Sequence, residues 1–308
     1  MERATQRDVY SVFSRFRQGL EQDLWSYLRA LEYIQDPQER LRIAQSFPFR
    51  EVMANGLESV LAGMNDAENN LHERLRRAFR SEFGEFETAL WRKDVHVLRP
   101  GWVDDIVSGL DWQRLRAYTT YLRDGAVTWL HRWGSKASAE LGAGVVGGEP
   151  VSAIVERITG VNIATPDGRE ALGGQTVRGL LVNTRYAVVE AANEGRSQAY
   201  RDLNDQYGLD MERIWVAHVP DCCPICLRLH GTVVDLSTDF PWRAHDHPLP
   251  WRNRLAGPPR HPNCRCSLAP WSDNWLGLTE FSPAQMRADA HREMTVRFPH
   301  ILAQERRV

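Results

Sequence analysis

Lysine is nearly missing from this chain: two (Lys93 and Lys136) stand against 36 arginines. The two residue types serve equally well on most solvated faces, so the skew reads as coding bias. Long apolar runs are also missing. No stretch approaches the roughly 18–20 residues that a helix needs to cross a bilayer, and a helical membrane span is excluded. The opening residues, Met1-Glu2-Arg3-Ala4-Thr5-Gln6-Arg7-Asp8, lack the apolar segment of a secretory signal. Synthesis in the cytoplasm without secretory export is therefore expected. Neither charge sign dominates. A net charge of −2 over 308 residues excludes non-specific nucleic-acid binding by the whole surface, though not by a local patch.

What is present suffices for a globular protein. Hydrophobic residues make up 43% of the chain and charged ones 25%, enough to bury one large core or two smaller ones and too apolar for a mostly disordered chain. Val9, Phe13, Phe16, Leu20, Leu24, Leu28 and Leu31 recur at three- and four-residue steps, one face of a helix. Leu71, Leu75, Phe79, Phe83, Phe86 and Leu90 form a second row, broken at Arg99-Pro100-Gly101. A third apolar run extends from Trp102 to Trp133. These aromatic stripes predict helix packing in preference to a base-stacking platform.

Gly142, Gly144, Gly147 and Gly148 among small residues predict a flexible connector over 135–150. The expected organisation is a helical N-terminal region (1–134), that Gly-rich connector, a module over 151–275, and a C-terminal helical tail (276–308). Helices are expected over Val151–Ile158 and from about Gly173 to Tyr207, and a strand over Ile214–Val219. Ser282-Pro283 is a helix start, with an N-cap serine and proline at the first helical position. The fold class is mostly α, with a small α+β C-terminal module built on a zinc-stapled strand and loop unit.

The chemistry is concentrated in one window. All five cysteines (Cys222, Cys223, Cys226, Cys264, Cys266) and five of the ten histidines (His218, His230, His245, His247, His261) fall within residues 218–266. Cys223-Pro224-Ile225-Cys226 is a C-x-x-C turn, which aims two thiolates at one tetrahedral centre. His261-Pro262-Asn263-Cys264-Arg265-Cys266 supplies the remaining donors. A closed structural zinc site is the preferred reading, with free thiols or a disulfide as the alternatives. The candidate ligands are Cys223, Cys226, His261, Cys264 and Cys266, as four sulfurs or as three sulfurs with the imidazole. Cys222 is set aside, because two adjacent residues rarely both reach one metal.

Three catalytic readings compete with the structural one. A zinc deaminase places H-x-E before its cysteines, whereas His291-Arg292-Glu293 follows them. A thiol-redox site expects a helix after C-x-x-C within a βαβ unit, and neither is evident. An HNH-like metal-dependent nuclease would place a His-rich hairpin between two cysteine pairs. His245 and His247 lie in that interval, with Asn253 and Asn263 beyond, but the second pair is C-x-C and no histidine suited to catalysis follows it.

From about Val177 to Pro270 the sequence resembles the phage Mu F-like minor head proteins, the head-morphogenesis family. The resemblance is carried by Arg178, Thr184, Ala191, Asn193, Gly195 and Arg196 of the long helix, by Trp215-Val216-Ala217, by the C-P-I-C turn with Leu229 and Gly231, and by Pro258-Pro259-Arg260-His261-Pro262-Asn263-Cys264-Arg265-Cys266. It implies a non-enzymatic, low-copy internal virion component at the portal vertex that assists head assembly or DNA packaging. Implied partners are the portal protein and the major capsid or scaffold protein. The Arg-rich stretch (Arg243, Arg252, Arg254, Arg260, Arg265) could touch packaged DNA phosphates; a solvated basic loop is the equal alternative. Residues 1–134 carry no such resemblance.

Overall fold

The computed structural model describes residues 1–91, 98–99, 101–160, 172–241, 256–275 and 282–305. Helices α1 (Glu2–Leu28), α2 (Pro37–Gln45), α3 (Phe49–Trp91), α4 (Trp102–Gly109), α5 (Trp112–Val146), α6 (Val151–Thr159) and α7 (Leu172–Tyr207) come first. After them come strand β1 (Glu212–Val216), helix α8 (Pro224–Leu229), strands β2 (Val233–Asp235) and β3 (Ser267–Trp271), and helices α9 (Pro283–Arg297) and α10 (Pro299–Glu305). The chain is thus mostly α-helical, with a small antiparallel sheet in its C-terminal region.

Two compact units are present, one of residues 1–71 with 119–185, the other of residues 72–118 with 186–308. In the first unit, the α1 stripe is buried from Val9 through Leu28 as its spacing requires. Phe16 meets Trp133 edge-to-face at 5.4 Å between centroids, and the Trp133 indole donates to the Ile158 carbonyl at 3.1 Å. Helix α3 begins some twenty residues before the sequence row suggested. Val60, Met64 and Ala67 extend the buried stripe backwards from Leu71 in the same three- and four-residue steps.

The expected connector over 135–150 is not a connector. Helix α5 runs through Gly142 and Gly144 to Val146, because Ala137, Leu141 and Val145 bury one face of it. Gly144 is where a neighbour comes close: a Cβ there would lie 2.7 Å from Ile154 Cγ1. The break at Gly101 is real, with φ at +82°, a backbone state that glycine adopts freely. The Trp102–Trp133 run also divides, since Asp111 caps α5 by accepting from the Arg114 amide at 3.0 Å.

In the second unit the sheet order is β2-β1-β3. Ile214 lies opposite Val233 on β2 and Ala269 on β3. The central strand lies two residues earlier than the sequence alternation predicted, so His218 is outside it. Phe79 and Phe83 of α3, Trp102 of α4 and Tyr200 of α7 are buried, as are Trp215 and Leu268 of the sheet. Ser282 caps α9 by accepting from the Gln285 amide at 3.2 Å, as its sequence predicted.

Candidate metal centre

The C-x-x-C turn builds itself locally. Cys223 is the N-cap of α8, its sulfur accepting from the Cys226 amide at 3.4 Å, with Pro224 at the first helical position. The helix that follows is six residues long, where the sequence suggested none. This capping turns both sulfurs toward the same side.

The second cluster returns from the far end of a long connection. His261 Nε2 lies 3.1 Å from Cys223 Sγ and 3.4 Å from Cys226 Sγ. Cys264 Sγ is 3.9 Å from Cys226 Sγ. Two sets of ligand atoms each fall within 4.8 Å of one another: Cys223 with Cys226 and His261, and Cys222 with Cys226 and Cys266. All five cysteines are free thiols. Cys226, Cys264 and Cys266 are each no more than 2% exposed.

Cys222 therefore belongs to the cluster, contrary to the expectation from adjacency. Cys222 and Cys223 are both in extended backbone, which sends successive side chains to opposite sides. One joins Cys266 and the other joins His261, with Cys226 common to both sets.

These donors suit a metal ion. A tetrahedral centre with Zn–S bonds of about 2.3 Å holds its sulfurs roughly 3.8 Å apart, and the Cys226–Cys264 separation is close to that. The outer shell is also in place. His261 Nδ1 donates to the Pro262 carbonyl at 2.7 Å, which turns Nε2 toward the sulfurs, where it could serve as the ligand atom once it has lost its proton.

Electrostatics within the cluster follow from its hydrogen bonds. The Cys226 thiol is pushed up, chiefly by the neighbouring sulfurs of Cys222 and Cys223, which compete for its one proton. Cys223 is lowered to about 4, first by the bond from Cys226 and also by His261. Cys222 is lowered to about 5 by Cys226 and Cys266. His261 is raised to about 9, chiefly by its bond with Cys223. Such thiolates are the species that bind metal, and the remaining protons would leave when a metal binds.

Four elements hold this arrangement, and sequence reasoning found the residues of only one. On α7, the Asn193 carboxamide donates to the Cys266 carbonyl at 3.2 Å and accepts from the Leu268 amide at 2.9 Å. Arg196 Nε donates to both oxygens of Glu82 on α3 at 2.9 and 3.0 Å, its Nη2 lies 2.9 Å from Oε2, and Tyr200 donates to the same carboxylate. Arg213 of β1 is 3% exposed and straps the long connection by donating to the carbonyls of Thr238 and Ala256, both at 2.7 Å. From α9, Arg297 donates to the carbonyls of Val219 and Cys222. Glu82, Arg213 and Arg297 carried no motif signal. Alternation marked Arg213 only as part of a strand.

The neighbouring expectations fare differently. His230 is buried, its Nδ1 accepting from the Ala217 amide at 3.0 Å, and burial pushes its pKa down. Arg265 is paired with Asp221 at 2.6 Å. Arg260 is only 8% exposed, out of reach of a surface duplex. Arg243, Arg252 and Arg254, with His245, His247 and Asn253, lie outside the described residues.

No family model, curated protein or solved structure matches this chain.

Proposed function

We propose that this chain is a minor head protein of a tailed phage, of the Mu F-like type. It works as a non-enzymatic internal virion component at the portal vertex, contacting the portal protein and the major capsid or scaffold protein during head assembly or DNA packaging. One observation carries the reading. The two halves of the family resemblance are widely separated in sequence, yet they meet at one point. Asn193 of the helix motif bonds the backbone on both sides of the strand start that follows Cys266. Two motifs that belong to one module would be expected to converge in that way.

The cation is zinc, and its role is to hold the fold. Cys223, Cys226, His261 and Cys264 form the ligand set we favour, with three sulfurs and one imidazole. Zinc there clamps α8 to the segment leading into β3. Catalytic zinc keeps an open coordination position, whereas four donors of this chain fill a tetrahedral shell, with Cys226 and Cys264 buried and Cys223 and His261 half-buried. A rigid module of this kind suits a docking element.

The test is quantitative mass spectrometry of purified particles from the source, scaling this chain against portal and major capsid subunits. A few to a few tens of copies per particle is the expected result. Absence from both immature and mature particles would remove the virion reading.

A further inference from the structure

The Cys/His cluster holds more donors than one ion uses. Once Cys223, Cys226, His261 and Cys264 close a tetrahedral shell, two further thiols remain, Cys222 and Cys266. They are 6% and 2% exposed, and their sulfurs lie within 4.8 Å of each other and of Cys226 Sγ. A second set of three ligand atoms is thus assembled against the first, with Cys226 at the join.

Both extra donors are positioned from outside the cluster. The Cys222 carbonyl accepts from Arg297 of α9 at 3.1 Å, and the Cys266 carbonyl accepts from Asn193 of α7 at 3.2 Å. Bonds of this kind orient the ligands of a metal. Between Cys264 and Cys266, Arg265 turns outward to Asp221, while both cysteines are buried. Cys264 therefore serves both sides of the cluster. It interacts with Cys266 and Cys222, and its sulfur lies 3.9 Å from that of Cys226. That separation is close to one edge of a zinc–sulfur tetrahedron.

We propose that the cluster is a binuclear zinc centre, in which Cys223 and His261 bind one ion, Cys222 and Cys266 bind the other, and the sulfurs of Cys226 and Cys264 bridge the two. Two four-coordinate ions that share two sulfurs need six donors, and this cluster brings together five thiols and one imidazole. A thiolate keeps enough lone pairs to bind two metals at once. Each thiol releases its proton to solvent as its sulfur takes the metal. The second ion arrives with two more thiolates, so it adds no net charge to a buried site. A second zinc rests on the zinc reading given above and is independent of a virion role.

The experiment uses the full chain, expressed with zinc supplied and purified with a phosphine reductant, so that Cys222 and Cys266 are not lost to a disulfide. Native mass spectrometry counts the ions chain by chain, and two zincs are expected. One zinc overturns the second site and leaves the structural zinc standing; none overturns both. Cys222→Ser and Cys266→Ser should each lower the count from two to one, and a count of two in either places the second ion elsewhere and overturns the proposal. Exchange of zinc for ¹¹³Cd in the wild-type chain tests the bridges without any variant. Two ¹¹³Cd signals are expected, each split by the other through the shared sulfurs. A single signal, or two unsplit ones, overturns the bridged centre.

Discussion

The carboxamide of Asn193 completes the backbone hydrogen bonding around Cys266, donating to the carbonyl of that residue and accepting from the amide of Leu268 two positions on. A side chain on a helix thereby does what a neighbouring strand's peptide group would do, and fixes where β3 starts. Both backbone groups are buried, so removing their partner leaves them unsatisfied. Asn193→Ala should therefore destabilise the second unit by roughly 2–4 kcal/mol. Asn193→Asp keeps the acceptor for Leu268 but sets a carboxylate against the Cys266 carbonyl, and should cost at least as much. Urea denaturation with hydrogen exchange at Leu268 tests this; an unchanged midpoint in both variants would show that the bonds carry no weight.

Cys226 is the shared member of both ligand sets, so Cys226→Ser should empty the centre whichever set holds the ion. Cys222→Ser should retain about one zinc per chain if the set is Cys223, Cys226, His261 and Cys264. Binding energies of structural zinc are on the order of 10 kcal/mol. Loss of the ion, by mutation or chelation, should therefore open residues 212–271 to protease while α1 and α6 stay protected. Metal analysis by mass spectrometry and limited proteolysis read the two effects separately. Full metal content in Cys226→Ser would overturn the assignment of the cluster as a zinc site.

Much of the helical part is legible in the sequence because each long helix carries its own apolar stripe. Phe13, Phe16 and Leu20, like Leu75 and Phe79, are buried where their periodicity puts them. The sequence misleads where tertiary packing overrides composition. Gly142 and Gly144 look like a linker, yet they sit in a helix whose opposite positions are buried and whose glycine admits Ile154. The location of the Cys/His cluster is legible from cysteine and histidine spacing. The part played by Cys222 is not, since adjacency alone cannot tell that Cys226 lies between the two neighbours' reach. Arg260 reads as a surface charge in a basic stretch. Only the fold shows that it is buried, because burial of a charged residue depends on which elements close over it.

Gly195 and Gly84 make a paired test of close packing in the second unit. A Cβ at Gly195 would lie 2.5 Å from Phe79 Cζ. Phe79 is fully buried and packed against Phe83 and Trp112, at 6.1 and 6.5 Å between centroids. The ring has nowhere to retreat. Overpacking of this kind costs about 1–3 kcal/mol, against a gain of roughly 0.5–1 kcal/mol from replacing a helical glycine by alanine. Gly195→Ala should lower the Tm. Nothing lies near a Cβ at Gly84, so Gly84→Ala keeps the propensity gain and should raise the Tm. Equal shifts in the two variants would mean that Phe79 accommodates the methyl group.

Glu190 gives the second unit a pH dependence opposite to that of an ordinary paired carboxylate. Burial first, and then the nearby charge of Glu194, raise its pKa from 4.5 to about 7. Between those values the folded chain holds a proton that the unfolded chain has released. Stability must then fall as pH rises through that window and level off above about 7, since protons bound preferentially by the native state stabilise it. Half-burial leaves part of the effect to solvent screening, so the loss should be about 2 kcal/mol. Glu190→Gln removes the titration. Other groups titrate in the same range, so the quantity to follow is the difference between wild type and variant. Unfolding free energies of both, measured by denaturant from pH 4.5 to 8, should diverge with rising pH, the variant being more stable at the alkaline end. Parallel curves would show that Glu190 keeps an ordinary pKa in the folded chain.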